Sequence, residues 1–243
     1  MPRFFVPSEN FDTGAVKISG EDAFHIARSL RMAVGDSLTV MDMQGREHLC
    51  TLTKIRDDVC ECDILETREG MTESPVRITL YMGYPKGDKL ETVIQKAVEL
   101  GVSRIVPFES SRCVKRPKQD KLDKLLSRFA RIAEEAAKQC GRARLAEVTA
   151  PMDFRTALLD AKKSELCLFC YEGDGTRSLR EVLSEKRAES ISVIVGCEGG
   201  FSLNEAKEAE AAGLTPVNLG PRILRCETAP SYVLSCISYA YEL

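Results

Sequence analysis

The sequence predicts an α/β domain preceded by a small β-rich domain, on three observations. Residues 1–72 hold short alternating segments separated by turns, residues 73–243 alternate apolar strands with amphipathic helices, and REGMTESP, from Arg68, breaks the pattern between them. With 243 residues and 44% hydrophobic content the chain is globular and long enough for two cores. No run reaches the roughly eighteen apolar residues of a membrane span. Ten cysteines behind MPRFFVPSEN, which lacks a basic start and an apolar core, lead us to expect a soluble cytoplasmic protein in a reducing compartment.

In the first domain, SLTVMDM from Ser37 and REHLCTLTKI from Arg46 alternate at the period of strands, with turns at Gly35-Asp36, Gln44-Gly45 and Asp57-Asp58. A barrel or a sandwich fits this spacing, interrupted by one short helix over Ala23–Met32. The second domain opens on a strand, Val76–Met82. A helix follows over Lys89–Leu100, which Asp88 can cap and Gly101 can end, and then a strand from Arg104. Ordinary topology rules lead from this alternation to an open doubly wound sheet.

Charge is unevenly distributed. The chain nets −3, but Arg112 to Arg144 holds 11 Lys and Arg against 4 Asp and Glu, leaving the other 210 residues at −10. On a helical wheel Lys121, Lys124, Arg128, Arg131 and Lys138 share one face, while Leu122, Leu125, Leu126, Phe129, Ala133, Ala136 and Cys140 share another. With Arg112, Lys115, Arg116 and Lys118 in the preceding loop, and Arg142 after the helix, these residues form a candidate phosphate-gripping surface that would bind RNA without reading its sequence. A solvated helix face is the plain alternative, and Asp123, Glu134 and Glu135 dilute the stripe.

The last fifty residues hold two glycine loops, each between a strand and a helix. Ile191–Val195 is a β-branched strand, Gly196, Gly199 and Gly200 free the backbone, and Ser202 with Glu205 forms an S-x-x-E capping box. Leu203, Ala206, Ala209 and Glu210 then recur at helical spacing up to Gly213. The second unit runs from a strand at Val217–Leu219 through Gly220-Pro221 to a helix opened by Thr228 and Pro230, whose apolar face is Val233, Cys236, Ile237 and Ala240. Arg222, Arg225 and Glu227 crowd the intervening turn. Such loops commonly cradle phosphate, yet GCEGGF is neither G-x-G-x-x-G nor G-x-x-x-x-G-K-[ST], and Glu198 would repel a phosphate. A ligand with a neutral adenosine end and a cationic centre, such as the sulfonium of S-adenosylmethionine, would not be repelled. Cys60 and Cys62, and Cys167 and Cys170, lack a second pair at zinc spacing, so no metal is expected.

VIVGCEGGFSLNE followed by VNLGPRILRCETAP resembles the RsmE family of 16S ribosomal RNA uridine N3-methyltransferases, within the SPOUT class. MPRFFV, HIARSLRMAVGD from His25, KGDKLETVIQKAVELGVSRIVPFESSRCV from Lys86 and QCGR from Gln139 look like further blocks of that family in the same order. Cys197, Cys140 and Cys226 stand where proline, serine and threonine are usual; all are small, so they bear on loop rigidity rather than chemistry. The resemblance implies an RNA-binding PUA-like barrel over 1–72 and a trefoil-knotted SPOUT domain over 73–243. It also implies S-adenosyl-L-methionine as cofactor and 16S ribosomal RNA or the assembled small subunit as partner. A homodimer is implied too, for which the final helix with Tyr232, Tyr239 and Tyr241 is a candidate interface or else core. The cofactor would lie on Gly196, Cys197, Glu198, Gly199, Gly200, Phe201, Leu219, Gly220, Ile223, Leu224 and Arg225, with Leu168, Tyr171 and Glu172 near the adenosine. Arg225 and Arg222 would stabilise the uracil anion, with Glu198 or Glu227 taking the proton. Two other classes stay open, a different nucleotide-using enzyme and a non-enzymatic ribosomal RNA-binding protein; calorimetry with S-adenosylmethionine, ATP and NAD separates all three.

Overall fold

Hydrophobic alternation builds the first unit of the chain. The computed structural model describes residues 1–56, 58–114, 119–185 and 187–243, so the Asp57 half of one expected turn lies outside the described residues. Strands β1 (Arg3–Phe5), β2 (Phe11–Asp12), β3 (Ala15–Ser19), β4 (Ser37–Met41), β5 (Arg46–Ile55) and β6 (Val59–Glu69) form one sheet in the order β1-β4-β5-β6-β3-β2. Only β1 and β4 pair in parallel. Phe4 on one edge strand and Phe11 on the other pack into the same core with Val16, Ile18, Leu38, Val40 and Leu52, so the sheet curls into a barrel. Cys50, Cys60 and Cys62 join that core as small hydrophobes, and burial pushes the thiols of Cys50 and Cys62 up to about 12.

Two details depart from the expected elements of this unit. The α-helix is confined to α1 (Glu21–Phe24) and widens into a π turn over His25–Ser29; Arg31, at φ 51°, then stops the coil. The unit also comprises residues 1–73 together with a distant return of the chain, residues 137–145. Arg142 is 3% exposed and donates to Glu73 at 2.7 Å, while the N–H groups of Ala143 and Arg144 donate to the same carboxylate at 3.0 Å each. Arg142 is therefore withdrawn from the candidate RNA set, because its guanidinium is buried and bound. Lys138 leaves it too: its ammonium lies 3.0 Å from Asp22 and over the Phe4 ring.

The second unit, residues 74–136 and 146–243, is built on parallel strands. These are β7 (Arg77–Gly83), β8 (Arg104–Glu109), β9 (Glu147–Val148), β10 (Met152–Asp153), β11 (Leu166–Cys170), β12 (Arg177–Ser178), β13 (Ser190–Val195) and β14 (Thr215–Asn218). Their order is β10-β8-β7-β13-β11-β14-β12, with β9 on β8. The late strands thus enter the sheet rather than adding at its edge: β13 lies between β7 and β11, and β14 between β11 and β12. All six residues of β13 are buried, as a strand covered on both faces requires.

Helices α2 (Lys89–Glu99), α3 (Leu122–Cys140), α4 (Phe154–Ala161), α5 (Leu179–Glu185), α6 (Leu203–Ala211) and α7 (Thr228–Tyr241) connect the strands. Asp88 precedes α2, but its side chain makes no capping bond; its carbonyl accepts from Glu91 and Thr92 instead. In α3, Phe129, Ala133 and Ala136 are buried while Lys121, Lys124, Arg128 and Arg131 are exposed, so the basic and apolar faces separate as the wheel predicts. Tyr241 belongs to the core, its hydroxyl accepting the Ala188 N–H at 3.1 Å, whereas Tyr239 is 75% exposed.

Candidate active site

Because β13, β11 and β14 are adjacent and parallel, their carboxyl ends open on one edge of the sheet, the usual place for a ligand in an α/β layer. The chain leaves these ends as Tyr171–Gly173, Gly196–Phe201 and Leu219–Glu227, which together wall a cavity of about 820 Å³. That volume suits a nucleoside-sized ligand. Lys89 and Arg112 complete the wall.

The loop after β13 is fastened at both ends. A Cβ on Gly196 would sit 3.0 Å from the Gly200 Cα, and Gly200 itself has φ +62°, so the tight fold of this loop requires glycine. Phe201 plugs into the core against Phe169, with ring centroids 4.4 Å apart, and against Phe108 and Phe154. Ser202 then caps α6 with the reciprocal bonds of a capping box to Glu205. The Glu205 carboxylate also accepts the Ser111 N–H at 2.7 Å and the Ser111 hydroxyl at 3.0 Å. Burial opposes its charge, but the N–H and hydroxyl donors of Ser111 and Ser202 outweigh this and hold it below the ordinary range.

Glu198 and Glu227, both candidate proton acceptors, converge on a residue the sequence reading did not select. The Lys89 ammonium lies 3.0 Å from Glu198 Oε1 and 3.3 Å from Glu227 Oε2. Glu198 also accepts the Lys86 N–H at 3.0 Å, and Glu227 accepts the Cys226 thiol at 3.2 Å. For Glu198, burial works against the charge and loses to the backbone N–H groups and Lys89; for Glu227 its own backbone N–H, the thiol and Lys89 act together. Both carboxyls are held low and are weak bases. Although no lysine follows the glycine loop in sequence, the first residue of α2 supplies one, and the trio still carries one net negative charge.

The second loop is different in kind. Gly220 turns at φ +100°, and the Arg225 carbonyl accepts the Thr228 and Ala229 N–H groups to start α7. The side chains of Arg222 and Arg225 line the cavity, are exposed, and have no partner among the described residues. Ile223 between them is 81% exposed, and Leu224 is half-buried.

The remaining candidates fall in several places. Tyr171 and Glu172 line the cavity, but Leu168 is wholly buried within β11, two residues short of the strand end, and is removed from the cofactor set. Arg112 faces the cavity and donates to the Gly199 carbonyl at 2.7 Å, so it braces the loop. Lys115, Arg116 and Lys118 lie outside the described residues. On α3, Arg128 pairs with Glu91 at 2.6 Å and Arg131 approaches Glu135 at 3.9 Å, while Lys121 and Lys124 have no partner among the described residues.

Comparison with known proteins agrees with this construction. Residues 72–238 match the RNA methyltransferase domain family and residues 18–65 the RNA methyltransferase PUA domain family. The chain is 34% identical to ribosomal RNA small subunit methyltransferase E of Bacillus subtilis, covering 100% of this chain and 98% of that protein. It is 32% identical to the protein of the same name from Synechocystis, covering 99% and 78%. The crystal structure of a ribosomal RNA small subunit methyltransferase E from Neisseria gonorrhoeae, bound to S-adenosyl methionine, superposes with a TM-score of 0.88 at 31% identity, covering 99% and 98%. A parallel α/β domain of the SPOUT class, an N-terminal PUA-like barrel and full-length likeness to named relatives place this chain in the ribosomal RNA small subunit methyltransferase E family.

Proposed function

We propose that the protein transfers the methyl group of S-adenosyl-L-methionine to N3 of a uridine in small-subunit ribosomal RNA, in the cytoplasm and as a homodimer. The observation that carries this reading is the charge arrangement of the cavity, a net-negative Lys89–Glu198–Glu227 cluster on one wall and, on another, two arginines with no partner among the described residues. The close-packed glycine backbone of 196–200 and the carboxylates suit a ligand with an uncharged adenosine and a cationic sulfur. Gly196 to Phe201, Leu219, Gly220 and Ile223 to Arg225 would hold it, chiefly by main-chain groups. When bound, it supplies an electrophilic methyl group on a sulfonium.

Uracil N3 carries a proton at neutral pH, so the site must favour the anion. Arg225 and Arg222 do this by placing fixed positive charge beside the uracil oxygens, a pre-organised term that costs no reorganisation during the reaction. Alignment supplies several kcal/mol more. Since Glu198 and Glu227 are held ionised by Lys89 and by N–H donors, they serve the cofactor end, and the N3 proton leaves to solvent under the arginines' field. The exposed Lys121 and Lys124 steer the RNA backbone. Tyr232 and Tyr239, exposed on α7, are the candidate contacts between copies, and light scattering of the purified chain tests the dimer.

The test is incubation of purified protein with S-adenosylmethionine and unmodified small subunits or naked ribosomal RNA, with modified uridines mapped by mass spectrometry. A single N3-methyluridine is expected. Methylation at another base or none at all, with cofactor bound, overturns the assignment.

A further inference from the structure

Residues 220–224 carry the Gly220 turn and Arg222, yet little fastens them. Among the described residues their one hydrogen bond runs from the Gly220 N–H to Asn218 Oδ1, at 3.3 Å. Pro221 has no N–H to offer. The same Asn218 amide donates through Nδ2 to the Arg177 carbonyl at 3.1 Å and to Thr176 Oγ1 at 3.2 Å. Asn218 ends β14, and Thr176 and Arg177 lie at the close of the loop that begins at Tyr171. One side chain thus joins two of the three loops that wall the cavity, Tyr171–Gly173 and Leu219–Glu227.

Asn218 itself lines the cavity, but its donors are committed to the protein. Both hydrogens of the amide nitrogen have acceptors, and the oxygen already accepts Gly220. The partners also dictate the residue type, because a carbonyl needs a donor and an N–H needs an acceptor. Aspartate, of the same shape, would keep the Gly220 bond and set an oxygen against the Arg177 carbonyl.

We propose that Asn218 is a positioning residue, an amide clamp that fixes the arginine-bearing loop against the Tyr171–Gly173 wall before any ligand arrives. It acts through Arg222 and Arg225, not on the reacting atoms. The ladder beneath these loops is short, four residues in β14 and two in β12, and its last pair is Asn218 with Ser178. Lys89 meets the far end of the loop at Glu227, so residues 220–224 hang between those two points. The first glycine loop is held otherwise, by Phe201 in the core, by Arg112 on Gly199 and by the Lys86 N–H on Glu198. A misplacement of about 1 Å at a group that serves the reaction can cost roughly 10²-fold in rate, so a single tether at the base of the arginine loop has leverage on turnover. Its loss leaves the first loop, and the cofactor contacts proposed there, in place.

The effect on turnover rests on the proposed function; the clamp does not. Asn218→Ala removes all three bonds, and Asn218→Asp only the two that Nδ2 donates. Hydrogen exchange over 171–177 and 219–225 of the ligand-free full chain reads the clamp, while steady-state methylation and calorimetry read its consequence. Both variants should speed exchange in both segments and lower kcat about tenfold or more, with S-adenosylmethionine affinity changed less than about threefold. On an Arg225→Ala background, Asn218→Ala should cost less than about threefold in kcat, because groups that act as a unit are not additive. If Asn218→Ala does not fold, Thr176→Val, which removes one partner only, gives the same exchange test. Unchanged exchange, an unchanged kcat per folded molecule, or an undiminished loss on the Arg225→Ala background overturns the proposal. Should the wild-type protein transfer no methyl group, the proposed function fails, and exchange alone decides the clamp.

Discussion

The two glycine loops look alike in sequence and are opposites in structure. In 196–205 every charged side chain is engaged: Glu198 with Lys89 and the Lys86 N–H, and Glu205 with Ser111 and Ser202. In 219–227 Arg222 and Arg225 stand exposed on the cavity wall with no partner among the described residues. A satisfied charge in a packed loop fixes geometry, and an unsatisfied one at a cavity mouth is available to a substrate. The first loop is the scaffold and the second is the working edge.

That division is open to direct attack. Arg225→Ala should lower kcat by roughly 10²–10³-fold, the usual cost of removing a pre-organised charge donor, with S-adenosylmethionine affinity and thermal stability unchanged. If affinity falls instead, Arg225 is scaffold too. Glu205→Ala should do the reverse, costing about 1–3 kcal/mol of stability through the orphaned Ser111 and Ser202 donors, read by denaturant titration.

The same residue gives a pH signature. Its folded-state pKa is depressed, so its contribution is complete above the ordinary glutamate value near 4.5 and is lost as pH falls through the folded value. Wild-type stability should therefore drop more steeply below that point than that of Glu205→Gln, as measured by melting temperature against pH. Lys89→Met, which leaves Glu198 and Glu227 uncompensated and that wall more negative, should tighten binding of the cationic cofactor several-fold with little change in kcat at saturation. The smallest effect belongs to Lys124→Ala, which should reduce the salt dependence of RNA binding by about one counterion and leave cofactor binding alone.

What the sequence made legible was local. The Ser202–Glu205 box, the β-branched run of β13 and the two faces of α3 are patterns of a few residues, and each forms as its spacing demands. What it hid was set by neighbours far along the chain. Lys89 is 109 positions from Glu198, and Arg142 is 69 from Glu73, so nothing in their local context marks one as a bridge or the other as buried. Asp88 makes no capping bond, and its backbone, at φ −97° and ψ 11°, lies outside the extended conformation from which a capping side chain reaches the first N–H groups. Leu168 illustrates register, because two residues decide whether a side chain reaches a strand's open end or stays in the sheet.

The return of residues 137–145 to the first unit carries a consequence for heredity as well as for folding. Glu73 receives Arg142 and two backbone N–H groups, and Gly141 receives Arg3 and Thr72, so the barrel is encoded by two separated stretches of gene. A truncation or crossover after residue 73 would leave one product with an unanswered carboxylate and the other with a stranded guanidinium. The two units are accordingly expected to be inherited, exchanged and expressed as a single cassette.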